Sequence, residues 1–271
     1  MDWLKQFVLN WVLEMVNGFD SHIATAVSVL TTDVFSGSIY SMAQSIQSVV
    51  QPIALVIISL CFFIEFLRLT ITMDIIKPEF FFRVFFKLAI AKAAIEVSFT
   101  LLSAIYATGS EWITSVGNVG STLGSQVGLA LSNILSSLND FQALGLVITM
   151  GMAFFAVWVS GMMVIVIAYA RMFELVIYLA ISPLPCALLP AEGSRITKKY
   201  FLSFASVCLQ GLFIIVSIRL FQAVCSDSII KAVQSASALS DIAFNMLLGA
   251  LVLVVAVVKS GSWAKAILDV A

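Results

Sequence analysis

Long uncharged runs, broken by short charged clusters, set the pattern of this chain. No Asp, Glu, Lys or Arg occurs from Val34 to Ile64, or again from Phe141 to Ala170. A helix that crosses a bilayer needs about 20 mostly apolar residues. Five segments qualify: residues 45–68, 81–106, 141–170, 200–223 and 242–258. Pro52 stands near the start of the first, where a proline kinks a helix. The third run is long for one crossing at about 1.5 Å per residue, so it tilts or projects beyond the lipid. Ahead of the spans, Trp3, Leu4, Phe7, Val8, Trp11, Val12 and Met15 recur at helical spacing. They predict an N-terminal amphipathic helix that either lies on the membrane surface or packs over the bundle. The opening residues make a poor signal peptide. Asp2 precedes the only early base, Lys5, and Asn10 and Glu14 interrupt the apolar positions.

A further apolar segment, residues 175–191, holds Pro183, Pro185 and Pro190. Lys and Arg collect in cytoplasmic loops, and that bias decides whether the segment crosses. With five crossings and the N-terminus outside, Arg68, Lys77, Arg83, Lys87, Arg171, Arg195, Lys198, Lys199, Lys259 and Lys265 all fall on the cytoplasmic side; Lys5 and Lys231 fall outside. A sixth crossing would carry half of those bases outward. The segment is therefore read as Pro-broken, either dipping in and returning or packing on the cytoplasmic side. Broken backbone at membrane depth is tolerated only inside protein or beside water. The expected fold is an all-α polytopic membrane protein. An N-terminal amphipathic helix and outer segment cover residues 1–44, and a multi-pass domain covers 45–271. Within the latter, residues 107–140 form an outer Gly/Ser-rich segment.

In that outer segment Gly120, Gly124 and Gly128 are four apart, as are Val119, Leu123, Val127 and Leu131. On a helix this gives one small face, suited to close packing between copies, and one apolar face. A flexible loop is the other reading, because each glycine disfavours helix by about 1 kcal/mol.

Charges inside the spans carry the candidate chemistry. Lys92 and Glu96 lie one turn apart in the second span, and Glu96 falls near the bilayer middle when counted from Arg83. A charge there costs about 3 kcal/mol, so it faces protein or water. Two readings stay open: a structural pair inside the bundle, or residues lining a channel. Lys before Glu is the weaker order for a helical pair. Arg171 and Glu174 are three apart where the third span meets the Pro-broken segment. They form a local ion pair or a docking point for a cytoplasmic partner. Glu65 and Arg68 make a similar pair, and Arg219 is expected to reach the outer interface. Arg195, Lys198 and Lys199 either set orientation only or also attract anionic headgroups or a partner.

Composition narrows the class. Hydrophobic residues make up 61% and charged residues 11%, against roughly a quarter charged in a soluble domain. A net charge of -1 argues against a nucleic-acid groove built on bulk positive charge. Cys61, Cys186, Cys208 and Cys225 form no C-x-x-C pair and there is a single His22, so neither a zinc site nor a disulfide is expected. The sequence contains no G-x-x-x-x-G-K-[ST], H-E-x-x-H or G-x-S-x-G. No enzyme activity and no cofactor are expected, bound phospholipid aside. Two classes remain. One is a scaffold or conduit in a membrane assembly. The other is a secondary transporter or small-ion channel, although the two halves show no similarly interrupted helices.

The stretch from Ala170 to Val224 resembles the core of the TrbL family, polytopic membrane components of type IV secretion and conjugation systems. The resemblance rests on Arg171 closing a long span, Ile181-Ser182-Pro183-Leu184-Pro185, the basic linker with Lys198-Lys199, and Gln210-Gly211-Leu212-Phe213. The wording is most similar to conjugative elements of Gram-positive bacteria. The resemblance implies an oligomeric ring, a pentamer when carried from the family, in the cytoplasmic membrane. It also implies an outside N-terminus and a cytoplasmic C-terminus, in agreement with the charge map. Implied partners are a secretion ATPase and a bitopic assembly factor, with DNA and its attached relaxase in transit.

Overall fold

The computed structural model describes residues 2–31, 37–71, 78–117, 140–192, 194–235 and 239–269. Among them are eight helices and no strand: α1 (Asp2–Thr31), α2 (Gly37–Ile71), α3 (Pro78–Gly117), α4 (Asp140–Ile181), α5 (Pro183–Ala187), α6 (Leu189–Glu192), α7 (Ser194–Ser235) and α8 (Leu239–Ile267). Helix is what lipid demands, because a crossing segment must satisfy its backbone groups internally. Five stretches are long and apolar enough to cross a membrane: Gly37–Arg68, Phe85–Gly117, Gly151–Ala187, Arg195–Asp227 and Phe244–Ile267. The chain is a multi-pass membrane protein.

The helices overrun the bounds that hydropathy gives. The second span was expected to end near Tyr106, but α3 runs on to Gly117. The third was expected to close at Arg171, yet α4 passes through Arg171 and Glu174 to Ile181. The apolar segment 175–191 is thus no crossing of its own: its first residues complete α4, and the rest form the short α5 and α6. Proline explains the break. Pro183 has no amide to give the carbonyl of Leu179, and the amide of Ser182 donates to it instead at 3.4 Å.

The chain groups into two compact units. One comprises Met1–Thr32, Glu111–Ala170 and Gln210–Ser262; the other comprises Asp33–Ser110, Arg171–Leu209 and Trp263–Ala271. In the first, α1 packs through Phe19, Ile23, Ala26 and Leu30, all buried at helical spacing. Phe19 meets Phe221 edge-on at 5.5 Å. It also closes on Gly161, where an added methyl would come within 3.0 Å of its ring. An alanine there would fit only if the Phe19 ring gave way by a few tenths of an ångström. The C-terminal half of α1 is therefore a packing helix, while Phe7 nearer its start stays 61% exposed.

The second unit has two apolar clusters. Leu102, Tyr106, Leu175, Leu179, Phe204, Val207 and Cys208 form one. Ala54, Ile58, Ala91, Ile95, Cys186 and Ala187 form the other, in which α2 lies against the short α5 and α6. The Pro-broken segment is held inside this unit by its polar groups as well. The Ser182 and Ser98 hydroxyls lie 3.2 Å apart, and the Thr197 hydroxyl donates to the carbonyl of Pro185 at 2.8 Å. All four cysteines are buried and free.

Candidate functional site

Four polar groups on or near the spans need an account, because charge is costly wherever lipid or apolar protein surrounds it. Arg171 is the most enclosed, only 3% exposed. Its Nε donates to the carbonyl of Val207 at 2.7 Å and its Nη2 to that of Cys208 at 3.1 Å. No ion pair joins it to Glu174, which is half-buried one turn on. The local pair suggested by the three-residue spacing does not form, because the fixed fork of the guanidinium reaches two adjacent carbonyls on α7. Arg171 itself is too enclosed to meet a partner, while Glu174 keeps part of its surface exposed. Arg171 ties α4 to α7 inside the second unit.

Arg219 plays a similar part in the first unit. It donates to the carbonyl of Gly117, at the C-terminus of α3, and its Nη1 donates to Gln222 Oε1 at 2.9 Å. A helix C-terminus leaves carbonyls without amide partners and carries partial negative charge, so a cation suits it. The sequence placed Arg219 near the outer end of its span but gave no partner for it. A carbonyl far away in sequence leaves no trace in local spacing.

Lys92 and Glu96 behave oppositely. Both are exposed on α3, and no ion pair or hydrogen bond joins them. They are not a structural pair within the bundle. Glu111, further along α3, is exposed as well. The uncharged run 97–110 spans only about 21 Å of helix, against roughly 30 Å of hydrocarbon. A crossing of that length anywhere within the apolar stretch Phe85–Gly117 takes in Glu96 or Glu111. At least one exposed carboxylate is thus anchored inside the hydrocarbon layer or at its edge, where charge is costly unless protein or water reaches it. The ion pair that does form is Lys87 with Glu65, 3.7 Å apart, between α3 and α2.

The basic cluster at the start of α7 is outward-facing: Arg195, Lys198 and Lys199 are exposed, while Thr197 between them turns in to Pro185. Bases at a helix N-terminus oppose its dipole, so they do not serve the helix itself. Gly120, Gly124 and Gly128 lie outside the described residues. Among the described residues no group of three His, Cys, Asp or Glu could hold a metal ion.

Residues 16–183 match the family described as TrbL/VirB6 plasmid conjugal transfer like protein. This match and the stretch that carried the resemblance, residues 170–224, share only residues 170–183. No curated protein and no solved structure matches the chain.

Proposed function

We propose, because this chain belongs to the TrbL/VirB6 plasmid conjugal transfer-like family, that it works as an oligomeric ring in the cytoplasmic membrane, a subunit of a type IV secretion machine. The observation that supports a ring is the exposed intramembrane charge on α3. A protomer with Glu96 and Glu111 outward and unpaired is incomplete in lipid, and neighbouring copies supply the protein or water it lacks. Less than half of each span's most apolar stretch is buried within the chain, which leaves ample surface for such neighbours. A pentamer is the count carried from the family. The secretion ATPase and a bitopic assembly factor are its proposed partners, and DNA with its relaxase is the cargo in transit. Arg195, Lys198 and Lys199 would meet anionic headgroups or one of these partners on the cytoplasmic side.

Deleting the gene from its conjugative element, and restoring it in trans, tests this function. Transfer is expected to vanish and return, while the purified protein alone in liposomes takes up no solute. Saturable uptake by the protein alone, with transfer intact after deletion, would favour a secondary transporter instead. Orientation has its own test. Asp227→Cys should react with an impermeant thiol reagent added to intact cells or protoplasts; Lys199→Cys and Lys265→Cys should react only after lysis. Labelling of Lys199→Cys from outside would overturn the five-span orientation.

A further inference from the structure

The exposed surface of α3 is divided lengthwise into two unlike halves. Each residue advances about 100° around a helix, so residues three and four apart share a face. Ala89, Lys92, Glu96, Thr100, Ser103 and Ala107 follow one another by threes and fours and fall within a sector of roughly 80°. All are exposed except the half-buried Ser103. From Ala89 to Ala107 this face is about 27 Å long, close to the thickness of the hydrocarbon, and carries no large apolar side chain. The adjoining exposed sector is the reverse: Phe86, Ile90, Val97 and Leu101 are 69%, 47%, 55% and 46% exposed. The buried face, with Ala91, Ile95, Ser98, Leu102 and Tyr106, lies on the other side. One helix thus offers an apolar strip suited to lipid directly beside a polar strip that is not.

We propose that the Ala89–Ala107 strip of α3 lines the water-filled passage of the ring. This rests on the oligomeric reading given above and names the surface that reading leaves open. A dry contact between copies is the rival, and the chemistry disfavours it. The strip carries an amine and a carboxylate that do not pair with each other, and a ring repeats them around its axis. In a dry contact each would need a partner's group at hydrogen-bond distance, whereas water serves both at once. The neutral members need less: the Ser103 hydroxyl donates to the carbonyl of Thr100 at 2.7 Å, so it adds polarity without an unmet donor. The passage so lined is hydrated, carries both signs of charge, and fits hydrophilic rather than apolar cargo.

The test is cysteine scanning of α3 in cells carrying the complete conjugation machine. The unchanged chain, whose four cysteines are buried, gives the background. Glu96→Cys, Thr100→Cys, Ser103→Cys and Ala107→Cys are expected to react with a charged methanethiosulfonate reagent at least about tenfold faster than Ile90→Cys, Val97→Cys and Leu101→Cys. Membrane abundance of each variant controls for folding. Equal and slow reaction in both sets would overturn the proposal. Disulfides forming between copies at Glu96→Cys or Thr100→Cys, without reaction with the charged reagent, would overturn it in favour of a dry contact. Either failure leaves the deletion experiment, and with it the role in transfer, untouched.

Discussion

Arg171→Ala is expected to remove most of the protein from the membrane fraction and to lower the melting temperature of what remains. The side chain makes two hydrogen bonds from a charged donor, each worth roughly 1.5–3 kcal/mol where no water can replace them. Part of that gain is offset by the cost of burying the guanidinium, so a net loss of about 3 kcal/mol is reasonable, with a shift on the order of 10 °C. Two companion variants separate the causes. Val207 and Cys208 lie inside α7, where their carbonyls keep the amides four residues on. Arg171→Met refills the volume and leaves no stranded charge, so it should stay within about 1.5 kcal/mol of the parent. Arg171→Lys keeps the charge but loses the two-point fork, and should fall between Met and Ala. Thermal unfolding in mild detergent, followed by tryptophan fluorescence or gel filtration, gives the order. If all three variants melt like the parent and lose only transfer, Arg171 acts on a partner and its tie to α7 is incidental.

Arg171 also shows where sequence stops being informative. The five spans were legible because apolar length and charge placement are one-dimensional signals, and lipid enforces both. The ends of α3 and α4 were not legible. In a sequence, charge marks the end of a span, yet Arg171 continues α4 because its charge is met by carbonyls 36 and 37 residues away. The same holds for Arg219 with Gly117 and Lys87 with Glu65, whose partners lie on other helices. Three local pairs were visible in spacing; two of them, Lys92 with Glu96 and Arg171 with Glu174, do not form, and the Glu65 of the third pairs with Lys87. The candidate site was half legible. Glu96 stood out as a costly intramembrane charge, but the strip around it did not. Thr100, Ser103 and Ala107 are unremarkable in sequence, and they define a face only once the buried side of α3 is known. The glycines 120, 124 and 128 lie outside the described residues.

The last prediction turns on that face. Glu96→Leu removes a charge whose insertion costs about 3 kcal/mol, so its abundance in the membrane should hold or rise. Transfer should nevertheless fall, by roughly tenfold or more, a change of about 1.4 kcal/mol in whatever step the strip serves. Insertion and function then move in opposite directions, which a variant that merely misfolds does not do. Glu96→Gln keeps the polar surface and should retain most of the transfer. The double variant Lys92→Leu/Glu96→Leu distinguishes two ways in which the carboxylate can matter. If Glu96 pairs with the Lys92 of a neighbouring copy, either single change strands a charge at membrane depth, and the double change relieves it. If both groups are solvated in a passage, each substitution dries the strip further and the double variant is the worst of the set. The water-lined strip predicts the second pattern: transfer in the order parent, Glu96→Gln, Glu96→Leu, double, at equal membrane abundance. Recovery of transfer in the double variant would show that the two charges meet across a protein contact.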